Sequence, residues 1–286
     1  MTAPLLHLGS CSWTAKGWLG TVYPKGTKQA DYLTHYARRW NSVEIDATFY
    51  ATPPADTVAR WRDLVPEGFS FAAKMPQLIT HEKRLENCFA DVDHFLHSMA
   101  RLGPKLGPLL FQFPYFAQKD HFTLTDFLDR LQPLLAFLPT DDLRFAVEVR
   151  NKTWLCPPLL DLLRNHGVAL ALIDHPWMPP PSQLFRQPGI VTAPFAYVRW
   201  LGDRHGIERI TKTWSAPVVD RHADLSHWIP PLADLLERGL PVHGYVNNHY
   251  SGHAPADLAI LGAALAEYAD TPRAQDSPAA DDRETP

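Results

Sequence analysis

The chain has 286 residues, 20% of them charged, and a formal charge of −4, so composition alone makes it neither a disordered polyelectrolyte nor a basic polyanion binder. Residues 269–286 contribute five acids against two arginines, so their −3 is most of the total and leaves about −1 for the rest. A bulk charge that small neither attracts nor repels a polyanion, and only a local patch decides binding.

Eight short apolar segments, each ending in a polar or ionisable residue, follow one another along the chain: Leu6–Ser12, Ser42–Tyr50, Phe69–Lys74, Leu109–Phe113, Phe145–Arg150, Ala169–Asp174, Phe195–Trp200 and Gly244–Asn248. Helical spacing falls between them. Tyr32, Leu33, Tyr36, Ala37 and Trp40 share a face, and Asp56–Val65 follows Pro53-Pro54. Leu124–Leu138, Leu159–Leu163, Leu232–Leu236 and Leu258–Tyr268 repeat the pattern. After the sixth strand, Pro176, Pro179, Pro180, Pro181 and Pro188 forbid a long helix and predict a proline-rich loop near the mouth. The succession predicts an α/β fold, a single (β/α)8 TIM barrel over residues 1–268, with its functional groups at the C-terminal ends of the strands. Residues 269–286, rich in Pro, Ala and Asp, have too little apolar surface to fold and predict a disordered acidic tail.

Cys11, Cys88 and Cys156 are odd in number and lack metal-ligand spacing, which suits a reducing compartment. Met1–His7 has neither a basic region nor a sustained apolar run, and no segment reaches the roughly 18 apolar residues of a membrane span. The expectation is a soluble, cytoplasmic protein with no membrane partner.

Period-two alternation assigns faces. In the second strand Val43, Ile45 and Phe49 are expected to face the helices, leaving Glu44, Asp46 and Thr48 inside. By the same logic Lys74, Gln112, Glu148, Arg150, Asp174, Tyr197 and Arg199 point inward, and Asn247-Asn248 closes the eighth strand. Two carboxylates in a barrel interior are costly unless paired or solvated, so an internal ion-pair layer competes with a catalytic reading. Aromatic residues follow the strand ends: Trp13, Trp18, Tyr50, Tyr115, Trp154, Trp177, Trp200, Trp214 and Tyr250. Flat rings beside cations favour an anionic small molecule or a nucleic acid as ligand.

No cofactor is named by the sequence. A divalent metal held by His81, His175, His205 or His249 with Glu148 and Asp174 is the lesser reading, since no pair has a diagnostic spacing such as HExxH. Gly103-Pro104-Lys105-Leu106-Gly107 lacks the Walker pattern, and neither a GxSxG elbow nor a GxGxxG fingerprint occurs.

Several blocks, taken in order, carry a resemblance: Gly9-Ser10-Cys11-Ser12-Trp13 with Tyr23-Pro24, Val43 to Tyr50 with Pro53, Phe69 to Lys74, and Ile79-Thr80-His81. Gln112-Phe113-Pro114, Ala146 to Arg150 with Trp154, Tyr197 to Trp200, and Tyr245 to Asn248 continue it. From Leu8 to about Leu265 the chain resembles the YecE-like family, whose fold is a TIM barrel and whose function is unassigned. The resemblance therefore implies the fold and not the chemistry. Where that family often has asparagine, this chain carries Asp46, an added acid in the mouth.

The residues favour hydrolysis of a phosphoester in a nucleotide or nucleic acid. Glu148 or Glu44 would be the general base and His81 the acid, while Lys74, Arg150 and Arg199 would stabilise phosphoryl charge. Trp13, Asp46, Tyr50, Gln112, Asp174, Asn247 and Asn248 complete the expected substrate contacts. The alternatives are a glycoside hydrolase with Glu44 and Glu148 as its carboxylate pair, and a non-catalytic binder of a nucleic acid or metabolite.

Overall fold

The computed structural model describes residues 4–270. Eight parallel strands form a barrel: β1 (Leu6–Ser10), β2 (Ser42–Ile45), β3 (Ser70–Lys74), β4 (Leu106–Gln112), β5 (Phe145–Glu148), β6 (Ala169–Asp174), β7 (Ala196–Trp200) and β8 (Val242–Val246). They are ordered β1-β8-β7-β6-β5-β4-β3-β2, with helices outside, as in a (β/α)8 barrel. The helices are α1 (Tyr32–Tyr36), α2 (Ala55–Asp63), α3 (Phe89–Met99), α4 (Leu124–Phe137), α5 (Pro157–Asn165), α6 (Pro181–Leu184), α7 (Arg204–Ile210), α8 (His222–Ser226), α9 (Ile229–Glu237) and α10 (Ala254–Asp270).

Local chemistry sets several of these ends. Thr123 caps α4 by accepting from the Asp126 amide, while the Asp126 carboxylate accepts from the Thr123 amide. Pro157 opens α5, where no amide donor is needed. The sequence reading did not draw α3, which buries Val92, Phe95 and Met99 at helical spacing among acids and histidines. The prolines after β6 leave only the single turn of α6, as expected. The last helix runs through Asp270, and the remainder of the predicted tail lies outside the described residues.

Two apolar layers hold the barrel. The larger joins the outward strand residues, among them Val43, Phe71, Phe111, Val147 and Val198, to the helices. The smaller fills the interior with Ala72, Leu110, Ala146, Ala169, Ala171, Ile173, Tyr197 and Tyr245. Four alanines among these leave volume for longer polar side chains from other strands.

The seam between β1 and β2 is bridged by side chains. The Tyr36 hydroxyl accepts from the Ser10 amide at 2.8 Å and donates to the Ser42 carbonyl at 3.0 Å. The Asn41 amide group does the same one step lower, accepting from Leu8 N at 3.1 Å and donating to Leu6 O at 2.8 Å. A side-chain carbon on Gly9 would sit 1.9 Å from the Ser42 carbonyl oxygen, so this approach requires glycine. Replacing Tyr36 with Phe strands the buried Ser10 and Ser42 groups and should cost about 1–3 kcal/mol, read from denaturant unfolding. An unchanged midpoint would show that the seam does not depend on the hydroxyl.

At the opposite end of the barrel from the mouth, His7 and His243 stack with ring centroids 4.5 Å apart and planes within 2°. Neither His243 ring nitrogen has a partner among the described residues. Burial, then Arg144, lowers the His7 pKa from 6.5, and burial, then His7, lowers that of His243. The unfolded imidazoles therefore take up protons that the folded ones refuse. Their neutrality supports the fold above about pH 6.5, and that support is lost as pH falls below it towards the lowered folded values. His243→Leu should flatten the fall in unfolding free energy between about pH 7.5 and 5.5; an unaltered slope would remove the pair as its source.

Candidate functional site

Along β7, alternation turns Tyr197 and Arg199 into the barrel, opposite Glu44 of β2 and Glu148 of β5. Arg199 lies between the two acids: Nη2 is 2.7 Å from Glu44 Oε1 and Nη1 is 2.6 Å from Glu148 Oε2. The remaining oxygens are also taken. Tyr197 donates to Glu44 Oε2 at 2.6 Å, and Arg150 Nε donates to Glu148 Oε1 at 2.6 Å. Both glutamates are fully buried, and Arg199 is 2% exposed. Burial alone would raise the Glu148 pKa, but Arg150 and then Arg199 outweigh it and hold that carboxyl at about 2. The Arg199 pKa rises well above its ordinary value because Glu148 and Glu44 reverse the opposite effect of burial.

This corrects the expectation that Glu148 or Glu44 is a general base. Neither has a free oxygen or access to solvent, and a carboxyl held near pKa 2 is a poor proton acceptor at neutral pH. The same geometry removes them as a glycosidase pair, since both are bound to one guanidinium. They are a structural layer beneath the mouth.

Above this layer lies a cavity of about 550 Å³ at the C-terminal ends of the strands, a size suited to a small ligand. The structure brings Asp46, Tyr50, Lys74, His81, Gln112, Arg150, Arg199 and Asn247 together on its walls. The route for two of them differs. β2 ends at Ile45, and Asp46–Phe49 forms a 3-10 turn, because the Thr48 hydroxyl bonds back to the Ile45 and Lys74 carbonyls at 2.7 and 2.8 Å. Alternation therefore fails beyond Ile45. Thr48 is spent on the backbone, and Phe49, expected to face the helices, enters the mouth with Lys74 Nζ 4.1 Å from its ring centre. Lys74 Nζ also lies 2.9 Å from Asp46 Oδ1, an ion pair whose angles fall short of a hydrogen bond.

Three expected contacts are elsewhere. Trp13 is buried, edge-on to Trp61 at 5.6 Å, and its carbonyl accepts from Tyr23. Asp174 points outward, because in the uniformly apolar β6 the interior is lined by Ala169, Ala171 and Ile173, which leaves Asp174 on the helix side. There it accepts from Trp228 Nε1 and the Tyr250 hydroxyl, both at 2.8 Å. Asn248 accepts from the Ala254 amide at the start of α10 and lines a smaller adjoining pocket.

His81 is in the mouth, but burial, then Lys74 and Arg150, lowers its pKa to about 4. It is neutral at neutral pH, which corrects its role as general acid. His175, weighed in the sequence only as a metal ligand, is likewise lowered to about 4 by burial and then Arg150. Trp177 was noted only among the aromatics, yet it lines the cavity at 60% exposure. Of the other rings, Trp18, Trp154, Trp200 and Tyr250 are core residues. The proposed metal set is not assembled: Glu148 is locked to arginines and Asp174 faces away. Among the described residues no three of His, Cys, Asp and Glu converge to hold an ion.

The sequence profile of the family described as "Protein of unknown function DUF72" matches residues 7–282. The chain belongs to the DUF72 family. Among its curated relatives, "UPF0759 protein YecE" of Escherichia coli strain K12 is 30% identical over 165 residues, 57% of this chain and 55% of that protein. "UPF0759 protein YunF" of Bacillus subtilis is 28% identical over 184 residues, covering 60% of this chain and 61% of that one. The matched part thus spans little more than half the length of these DUF72 relatives. In fold, a DUF72 family protein of Thermotoga maritima superposes with a TM-score of 0.72 at 23% identity, covering 91% of this chain and 99% of that one. No described helix is long and apolar enough to cross a membrane.

Glu148→Gln breaks a buried, doubly paired carboxylate and leaves two guanidinium groups partly uncompensated, so it should destabilise the protein by about 3–5 kcal/mol in denaturant unfolding. The folded carboxyl is depressed below its ordinary 4.5, so its contribution is complete above that pH and is lost as pH falls from 4.5 through about 2. A variant as stable as the parent would overturn the structural assignment.

Proposed function

We propose that the mouth binds a phosphoester of a nucleotide or nucleic acid and hydrolyses it. The observation that carries this reading is Arg150: it gives Nε to Glu148 and has no other partner among the described residues, leaving two Nη nitrogens to the cavity. Arg199 Nε on the floor is buried without a partner, and Lys74 stands on the adjacent wall. Donors so placed, in a partly desolvated site, suit phosphoryl oxygens.

Of the two carboxylates on the cavity wall, Asp203 is bound to amides at the start of α7, and Asp46, with a side chain 37% exposed beside Lys74, is the one assigned to proton transfer. In the proposed step Asp46 takes a proton from water as the water oxygen bonds to phosphorus. The ester P–O bond breaks, and the departing oxygen takes a proton from the Lys74 ammonium. Asp46 then returns its proton to Lys74, 2.9 Å away, once the two side chains turn into line, restoring the pair. His81 and His175, neutral, orient the ligand by hydrogen bonds. A second reading, binding without turnover, is favoured by the same ion pair, since the Lys74 ammonium occupies the carboxylate that the water would need.

Nucleotides or inorganic phosphate should raise the melting temperature, by about 2.7 kcal/mol of stability at a hundredfold excess over Kd, and Arg150→Ala should abolish the rise. Asp46→Asn should retain that rise and lower kcat about 10²–10⁴-fold. Neutral oligosaccharides shifting the melt where phosphates do not would overturn the reading. Ligand-induced stabilisation without turnover by the parent protein would leave the binder.

A further inference from the structure

The cavity accounts for a phosphate but not for the rings at its lip. Five large aromatic side chains are exposed among the described residues: Tyr50, Phe89, Tyr115, Phe137 and Trp177. Phe89 and Phe137 stack on each other at 4.8 Å, away from the mouth. The other three are at the C-terminal ends of the strands, exposed by 72% at Tyr50, 53% at Tyr115 and 60% at Trp177. Surface rings cost free energy in water unless they are covered, and here they collect at one end.

Their placement is specific. Tyr115 follows β4 and Trp177 follows β6, so the two loops reach over the end of β5, which carries Arg150. The rings meet there, edge to face at 5.9 Å. The Trp177 indole is held from behind by the His175 ring at 5.1 Å, and the Trp177 amide donates to His175 Nδ1 at 3.2 Å. Trp177 lines the cavity, whereas Tyr115 lies outside it. Tyr50 stands on a different wall, its ring edge-on to Phe49 at 5.4 Å.

We propose that the ligand is a short single strand of nucleic acid, with one phosphate in the cavity and neighbouring bases stacked on Trp177 and Tyr115 over Arg150. This rests on the phosphoester reading and extends it from the phosphate to the strand. Stacking platforms that alternate with cations accept bases of any sequence. The charge balance limits the strand's length. Of the four cations on the cavity wall, Arg199 is committed to Glu44 and Glu148 and Arg204 to Glu208, so with a formal charge of −4 over the chain Lys74 and Arg150 are left to meet a backbone phosphate and make no track for a long strand. One phosphate neutralised on a single strand gives a salt dependence of log K on log salt of about −0.7, shallow beside that of groove binders. Affinity therefore grows over the first two or three nucleotides and then levels off.

The test is calorimetric titration with thymidine 5′-monophosphate and its phosphorothioate-linked di-, tri- and hexanucleotides, which resist turnover. The expected result is a rise in affinity of about tenfold or more from mono- to trinucleotide, little further gain at the hexanucleotide, and a shallow salt slope. Tyr115→Ala should remove much of the gain and Tyr115→Phe should keep it, with Trp177 fluorescence quenched by the strand in the parent. Equal affinity for mono- and trinucleotide, or a gain indifferent to Tyr115→Ala, overturns this proposal and leaves the phosphoester reading standing. Failure of every phosphate-bearing probe sinks that earlier reading itself. Binding of a neutral oligosaccharide with the same dependence on Tyr115 would assign the rim to a sugar chain instead.

Discussion

Everything at the mouth is arranged around one guanidinium with two carboxylates inside a barrel. Arg199 satisfies Glu44 and Glu148 together, but one cation between two buried anions leaves an excess negative charge that the interior must offset. Arg150 offsets it from the strand end. Because its Nε is committed to Glu148, the rest of its fork is fixed at the edge of the cavity without a second anchor. The acids that seem wasted on structure thus orient the group proposed to meet the ligand. An apolar replacement of the whole layer would fold at least as well on energetic grounds, and it would leave Arg150 free to swing away.

The same layer sets the electrostatics above it. Burial, reinforced by Lys74 and Arg150 at His81 and by Arg150 at His175, keeps both imidazoles unprotonated, so neither histidine changes the charge of the mouth near neutral pH. What remains for proton traffic is the Asp46–Lys74 pair, which is neutral as a unit and can exchange a proton internally. The floor is ionic, with Arg199 Nε unpartnered, the walls hold Lys74, Arg150 and Asp46 with the neutral His81 and His175, and the lip holds aromatic rings. Polarity falls from the buried floor to the solvent, the order expected for a ligand that enters phosphate first.

Much of the fold was legible because strand and helix periods are strong signals over short windows. Glu44, Lys74, Glu148 and Arg199 were placed inside by alternation, and the structure agrees. Alternation failed where its premise did. Past Ile45 the chain is a 3-10 turn, so Phe49 arrived where a strand would not put it. In β6 the run Ala-Leu-Ala-Leu-Ile has no polar residue to give a phase, and Asp174 was assigned to the wrong face. Residue size was the missed clue there, since small side chains mark the crowded interior. The roles of the acids were illegible for a different reason. A sequence shows that Glu148 points inward but not that Arg199 and Arg150 both reach it, and that pairing is what separates a proton acceptor from a scaffold.

The anion binding proposed for a chain of net negative charge would have to proceed without help at long range. Its field does not steer a phosphate towards the mouth, so encounter proceeds at an unassisted rate and selectivity has to arise on contact. The site's own means are those of contact, because Arg150 and Lys74 are partly desolvated on the cavity wall. Such donors gain more from a phosphate than surface lysines do, and salt screens them less. The weak overall charge then serves discrimination. Long polyanions find no track along the surface, while a short strand that can place one phosphate among the cations and its bases against the rim meets every group the mouth offers.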